Sequence, residues 1–135
     1  MATGALLGAA AVVMGAVGAH GLDALAASGS PLADPHEIWQ SAVRYLFVHA
    51  LGSMVIGLFM PSCQRPRLLA GAWALIAGGS VLFSGSLYAM VLAGTRDAAV
   101  LAPVGGGALI VGWLLLAGAA IGGSGPLASS PESAS

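Results

Sequence analysis

Charge is almost missing from this chain, and where it falls cuts the chain into four apolar runs. Only 7% of the 135 residues are charged, where a soluble domain carries about 25%. The runs lie at about 3–20, 35–60, 68–92 and 103–122, each near the ~20 residues a helix needs to cross the ~30 Å core of a bilayer. A chain this short cannot bury a 58% hydrophobic composition in a water-soluble core. The expected fold is an all-α membrane protein, with four transmembrane helices in an antiparallel bundle and the lipid bilayer as solvent. Residues 1–122 form the single domain. The tail at 123–135, rich in Ser, Gly and Pro, is expected to be disordered.

The same composition excludes several functions. The net charge of -1 and the absence of lysine leave no electrostatic handle for nucleic acid. Cys63 is the only cysteine, so no internal disulfide forms. No phosphate-binding glycine loop, nucleophile elbow or nucleophile–base pair can be assembled, so the chain reads as no enzyme.

The first run is nearly all Ala, Gly, Val, Leu and Met. A cleaved signal peptide is the competing reading, but no Lys or Arg precedes Arg44 to supply its positive start. Gly4, Gly8, Ala11, Gly15 and Gly18 fall on one face, where small residues let a neighbouring backbone come close. Gly21 suits the residue that ends this helix, with Leu22 as its hydrophobic contact. The second helix has a clear start: Asp34 as N-cap, Pro35 next, and Glu37 reaching back. Its length gives it an amphipathic first part on the membrane surface, with Trp39 and Tyr45 in the interfacial aromatic belt and Arg44 reaching headgroups. In the third run Gly71, Gly78 and Gly85 recur seven apart, and Gly94 suits its end. In the fourth, Gly105 and Gly112 recur at the same interval, behind Pro103 in the first turn.

Polar side chains inside the runs need partners, because water is scarce there. Antiparallel threading brings the ends of runs one and three together with the starts of two and four. His20 then lies near the surface and Tyr45 and Tyr88 about one turn in. At ~1.5 Å per residue, His49 and Ser84 lie roughly 10–12 Å in. The candidate polar site is therefore His20, Tyr45, His49, Ser84, Ser86 and Tyr88. An ionisable group inside a span marks a functional site by default, and His49 is that group. The plainer reading is an imidazole bonded to Ser84 or Ser86 as packing glue; for His20 it is a side chain facing its own last carbonyls. About 10 Å of depth separates the two histidines, too far for shared haem, and no carboxylate or thiol cluster offers a metal site, so no cofactor is expected.

Four strings run through all the spans in order: Gly15-Ala16-Val17-Gly18-Ala19-His20-Gly21-Leu22; Ala42 through Tyr45 to His49-Ala50; Phe83-Ser84-Gly85-Ser86-Leu87-Tyr88; and Pro103-Val104-Gly105-Gly106 with Gly112-Trp113. In these the chain resembles the domain of unknown function 423, or transmembrane protein 256, family. It departs from that pattern in its Ala/Gly-rich first run and in its tail after Gly122. The resemblance implies a small integral membrane protein and no established reaction. The expected function is a non-enzymatic packing or accessory membrane subunit, associating with itself or with a larger membrane complex. The alternative is binding or permeation of a small molecule, a proton or a lipid-like ligand beside His49. Arg65 and Arg67 outweigh Arg96 with the interfacial Arg44, which places the loop between runs two and three, and both termini, on the cytoplasmic side of the plasma membrane.

Overall fold

Asp34 sets where the second helix begins. Its Oδ1 accepts the Glu37 amide at 2.9 Å, and Pro35 stands where no amide partner is needed. The computed structural model describes residues 1–27 and 32–121. In it, helix α2 runs Pro35–Phe59 and tightens into a 3-10 turn, Met60–Ser62, at Pro61. Helix α1 spans Ala2–Ala27, α3 Pro66–Ala93 and α4 Ala102–Ile121, with a 3-10 turn at Asp97–Leu101 before α4. All four helices are long and apolar enough to cross a membrane, and no strand occurs among the described residues. The chain is an all-α, four-span membrane protein. The tail at 123–135 and the Ser28–Pro31 connector lie outside the described residues.

Helix ends differ from expectation where packing outweighs local signals. Helix α1 does not stop at His20: it continues through Gly21 to Ala27, and Gly21 is not left-handed. A glycine inside a helix costs about 1 kcal/mol relative to alanine. Burial of Leu22, 3% exposed in a cluster with Trp39 and Val91, favours continuing the helix past it. Helix α3 begins at Pro66, two residues before the apolar run, because proline suits a first turn. Gly94 does close α3, at φ 63° with its amide turned back to the Val91 carbonyl.

Helices α2 and α3 form the central pair; α1 packs on α2, and α4 on α3. Along α2 the buried residues Trp39, Ala42, Leu46, His49, Ser53 and Ile56 recur in alternating steps of three and four, a single seam down the helix. The outer helices come close by leaving out side chains. A Cβ on Gly18 of α1 would sit 2.5 Å from the Trp39 indole. One on Gly105 of α4 would sit 2.5 Å from the Phe83 backbone nitrogen, and one on Gly112 2.8 Å from Ile76. Lipid supplies no hydrophobic drive between helices, so dispersion at such close range holds them. Gly8 and Gly15 face α2 more loosely, at 3.9 Å from Ala50 and 3.6 Å from Val43.

The glycine stripe of α3 lies elsewhere than expected. Gly78 and Gly85 are exposed, and a Cβ on either meets nothing within 4 Å; Gly71 meets only Leu115, at 3.8 Å. The close approach falls to Gly79, where a Cβ would sit 3.0 Å from the Gly105 carbonyl oxygen. Helix α3 is covered on two sides, and the buried Ile76, Ser80 and Ser84 take those faces, which turns Gly78 and Gly85 outward. Trp39 also departs from expectation. It is 1% exposed and buried among helices, not in an interfacial belt.

Candidate functional site

The polar half of the bundle is built from side chains that bond to backbone. The Trp39 indole Nε1 donates to the Met14 carbonyl of α1 at 2.7 Å. Ser84 Oγ donates to the Ala42 carbonyl of α2 at 2.9 Å. These two bonds tie α1 to α2 and α2 to α3. Ser86 and Ser80 bond within their own helix, to Phe83 at 2.7 Å and Ala77 at 2.9 Å.

His49 is 7% exposed and also bonds within its own helix, its Nδ1 lying 2.7 Å from the Tyr45 carbonyl. A carbonyl oxygen only accepts, so Nδ1 is assigned the proton of this bond. The imidazole does not bond Ser84 or Ser86, whose hydroxyls are committed to Ala42 and Phe83. It lies between rings instead, stacked on Tyr45 at 5.8 Å and edge-on to Trp113 of α4 at 6.1 Å. Tyr45 in turn packs on Phe83 at 4.6 Å.

The six sequence-nominated residues therefore do not share one cavity. His20 is exposed. Tyr45 is half exposed, Ser84 sits in the α2–α3 seam, and Ser86 caps its own turn. Tyr88 packs on Trp39 at 4.7 Å on the α1 side, away from the His49 rings. Among the described residues its hydroxyl has no hydrogen-bond partner, nor does Ser53 Oγ in the α2 seam. Among the described residues no three His, Cys, Asp or Glu gather to hold a metal. Sequence reasoning also missed the pairing of His36 Nε2 with Asp23 at 3.3 Å, which joins the end of α1 to the start of α2. That pair became visible only once α1 ran on past Gly21.

Among the described residues two grooves open that do not contain the polar set. One, of about 620 Å³, lies between α2 and α4 at the other end of the bundle, bounded by Gly52, Phe59, Cys63, Trp113 and Ala120. The other, of about 370 Å³, lies between α1 and α3 beside Gly78, with Leu7 and Val81 on its walls.

Residues 14–106 match a family described as a protein of unknown function, DUF423. The chain belongs to this family. The chain is similar to UPF0382 membrane protein SERP0230 of Staphylococcus epidermidis, 41% identical over 114 residues that cover 84% of this chain and 87% of that one. YwdK of Bacillus subtilis is 33% identical over 119 residues, covering 87% and 92%. A fission yeast relative from Schizosaccharomyces pombe is 33% identical over 118 residues, covering 81% and 90%. All three are named as UPF0382 membrane proteins, as four apolar helices require. No solved structure matches the chain. The family carries no established activity, and the arrangement of side chains has to speak for function.

Proposed function

We propose that this family member is a non-enzymatic packing subunit, a four-helix body of the plasma membrane that docks a neighbouring membrane helix on the outer face of α3. The observation that carries this is the leftover stripe. Ala70, Ala74, Gly78, Gly85 and Ala89 are all exposed on that face, and among the described residues a Cβ on Gly78 or Gly85 would meet nothing within 4 Å. Small residues at such spacing are what close helix–helix contact in lipid uses, and the groove beside Gly78 offers room for a partner's larger side chains. The polar side chains support the same reading, because Trp39 and Ser84 bond backbone carbonyls of neighbouring helices and His49 Nδ1 bonds one of its own. A second copy of the chain or a larger membrane complex supplies the docking helix.

The test uses a Cys63→Ser background carrying Gly78→Cys or Gly85→Cys, oxidised in native membranes. Disulfide-linked dimers, or purification with a stoichiometric membrane partner that Gly85→Leu releases, are expected. A strictly monomeric protein with no membrane partner overturns the proposal. The loop carrying Arg65 and Arg67 faces the cytoplasm in this reading, with both termini. Charge supports that orientation: the loop at 62–67 holds two arginines and no acid, whereas the other end holds Asp23, Asp34, Glu37 and Asp97 against Arg44 and Arg96.

A further inference from the structure

The α2–α4 groove differs from the rest of the lipid-facing surface in shape, in polarity along its length and in charge at its mouth. It begins near mid-membrane, where Trp113 lies over Gly52 at the distance a Cβ there would meet, 3.7 Å. It runs between Val55, Phe59 and Leu116, floored by Leu69 of α3, to an opening at Ser62, Cys63 and Gln64. The run from Gly52 to Phe59 is about 10 Å at 1.5 Å per residue, which keeps the groove within one leaflet, about half of the ~30 Å core. Its walls are apolar along the helices and polar only at the headgroup end.

The chain beside the mouth is basic. Arg65 follows the groove-lining Gln64, and its Nη1 donates to the Gly118 carbonyl of α4 at 3.5 Å, two residues from the lining Ala120. That contact draws the guanidinium toward α4 and leaves most of its five donors unspent. Arg67 is exposed in the first turn of α3, two residues on, and residues 62–67 carry no acid. An apolar slot along the helices, beginning at Trp113 and Gly52 and flanked beyond its polar end by two exposed arginines, matches a fatty chain joined to an anion at the surface.

We infer that the α2–α4 groove seats one acyl chain of an anionic glycerophospholipid, whose phosphate lies against Arg65 and Arg67. A guanidinium fork suits a phosphate, and each basic group near the surface favours anionic over neutral lipid. The lipid completes the α2–α4 side of the bundle, where the two helices stand apart. This surface is separate from the outer face of α3, so the inference stands or falls independently of helix docking there.

The experiment is native mass spectrometry of the delipidated full-length protein in mild detergent, supplied with dioleoyl phosphatidylglycerol or dioleoyl phosphatidylcholine. One phosphatidylglycerol per chain is expected, held about tenfold more than phosphatidylcholine. Arg65→Gln with Arg67→Gln removes that preference. Arg67→Gln alone, at an exposed position, reduces it without touching the Gly118 contact. Ala120→Trp, which fills the mouth, removes retention of both lipids while the helical melt stays unchanged. Equal retention of the two lipids by the unaltered protein overturns the inference. So does undiminished retention by a folded Ala120→Trp variant, or a quinone or second protein chain found in the groove.

Discussion

Ser84 and Trp39 do similar work, each bonding a backbone carbonyl on a neighbouring helix. Both acceptor carbonyls lie inside helices and keep their own helical partners, so removing the donor orphans nothing. The loss is then the modest worth of an interhelical bond in a membrane, about 0.6 kcal/mol on average and up to ~1.7. Ser84→Ala is expected to lower stability in detergent by about that amount, read as a small fall in the thermal midpoint. Trp39→Ala is expected to cost far more, about 3–5 kcal/mol, because it also empties the space under Gly18 and beside Tyr88. Fitting a side chain the other way fails too. Gly18→Leu places carbon where the indole already lies, and the expected result is a separated α1, seen as new protease cleavage near Trp39. The string from Phe83 to Tyr88 stood out in the sequence as polar groups in an apolar run. What each hydroxyl bonds was not legible, since helix rotation decides whether a serine meets its neighbour or its own turn.

At the scale of helices, the two faces of α3 make opposite predictions from the same residue type. Gly105→Ala on α4 drives a methyl into the Phe83 backbone, which cannot yield as a side chain end would. A loss of about 1–3 kcal/mol is expected, measured by thermal or denaturant unfolding in micelles. Gly85→Ala on the outer face of α3 meets open space and is expected to leave monomer stability unchanged or slightly raised. Gly21→Ala separates the two readings of α1. In a helix that continues to Ala27 it stabilises by about 0.5–1 kcal/mol, whereas at a left-handed terminal position it would destabilise. Increased helicity by circular dichroism is the expected outcome. The glycine periods were visible in the sequence on α1, α3 and α4. On α1 and α4 they face a neighbour; on α3, flanked by two helices, a seven-residue period cannot say which face is taken.

Across the whole molecule, polarity is divided between two ends and two kinds of use. One end holds Trp39, His49, Ser84 and Ser86 in internal bonds and carries most of the acids. The other carries Arg65, Arg67 and the open α2–α4 groove, with few polar groups inside. If the basic end faces the cytoplasm, Cys63 is expected to react with a membrane-permeant maleimide in intact cells and to escape an impermeant one. Labelling of intact cells by the impermeant reagent would invert the orientation. The histidine inside the second span is held between Tyr45 and Trp113 and bonds its own helix, so His49→Gln is expected to weaken packing without abolishing the fold.

Composition and spacing alone determined the class of protein, the number of spans, the capped start of α2 and the end of α3 at Gly94. Each of these follows from local chemistry: hydrocarbon length, an oxygen that meets an orphan amide, a residue that tolerates positive φ. Only the tertiary structure decided that Trp39 is a core pillar, that Gly78 and Gly85 face outward, and that the open groove lies at the end opposite the polar residues. Those outcomes depend on the rotation of each helix about its axis, which is set by the neighbours it packs against and is written in no single segment.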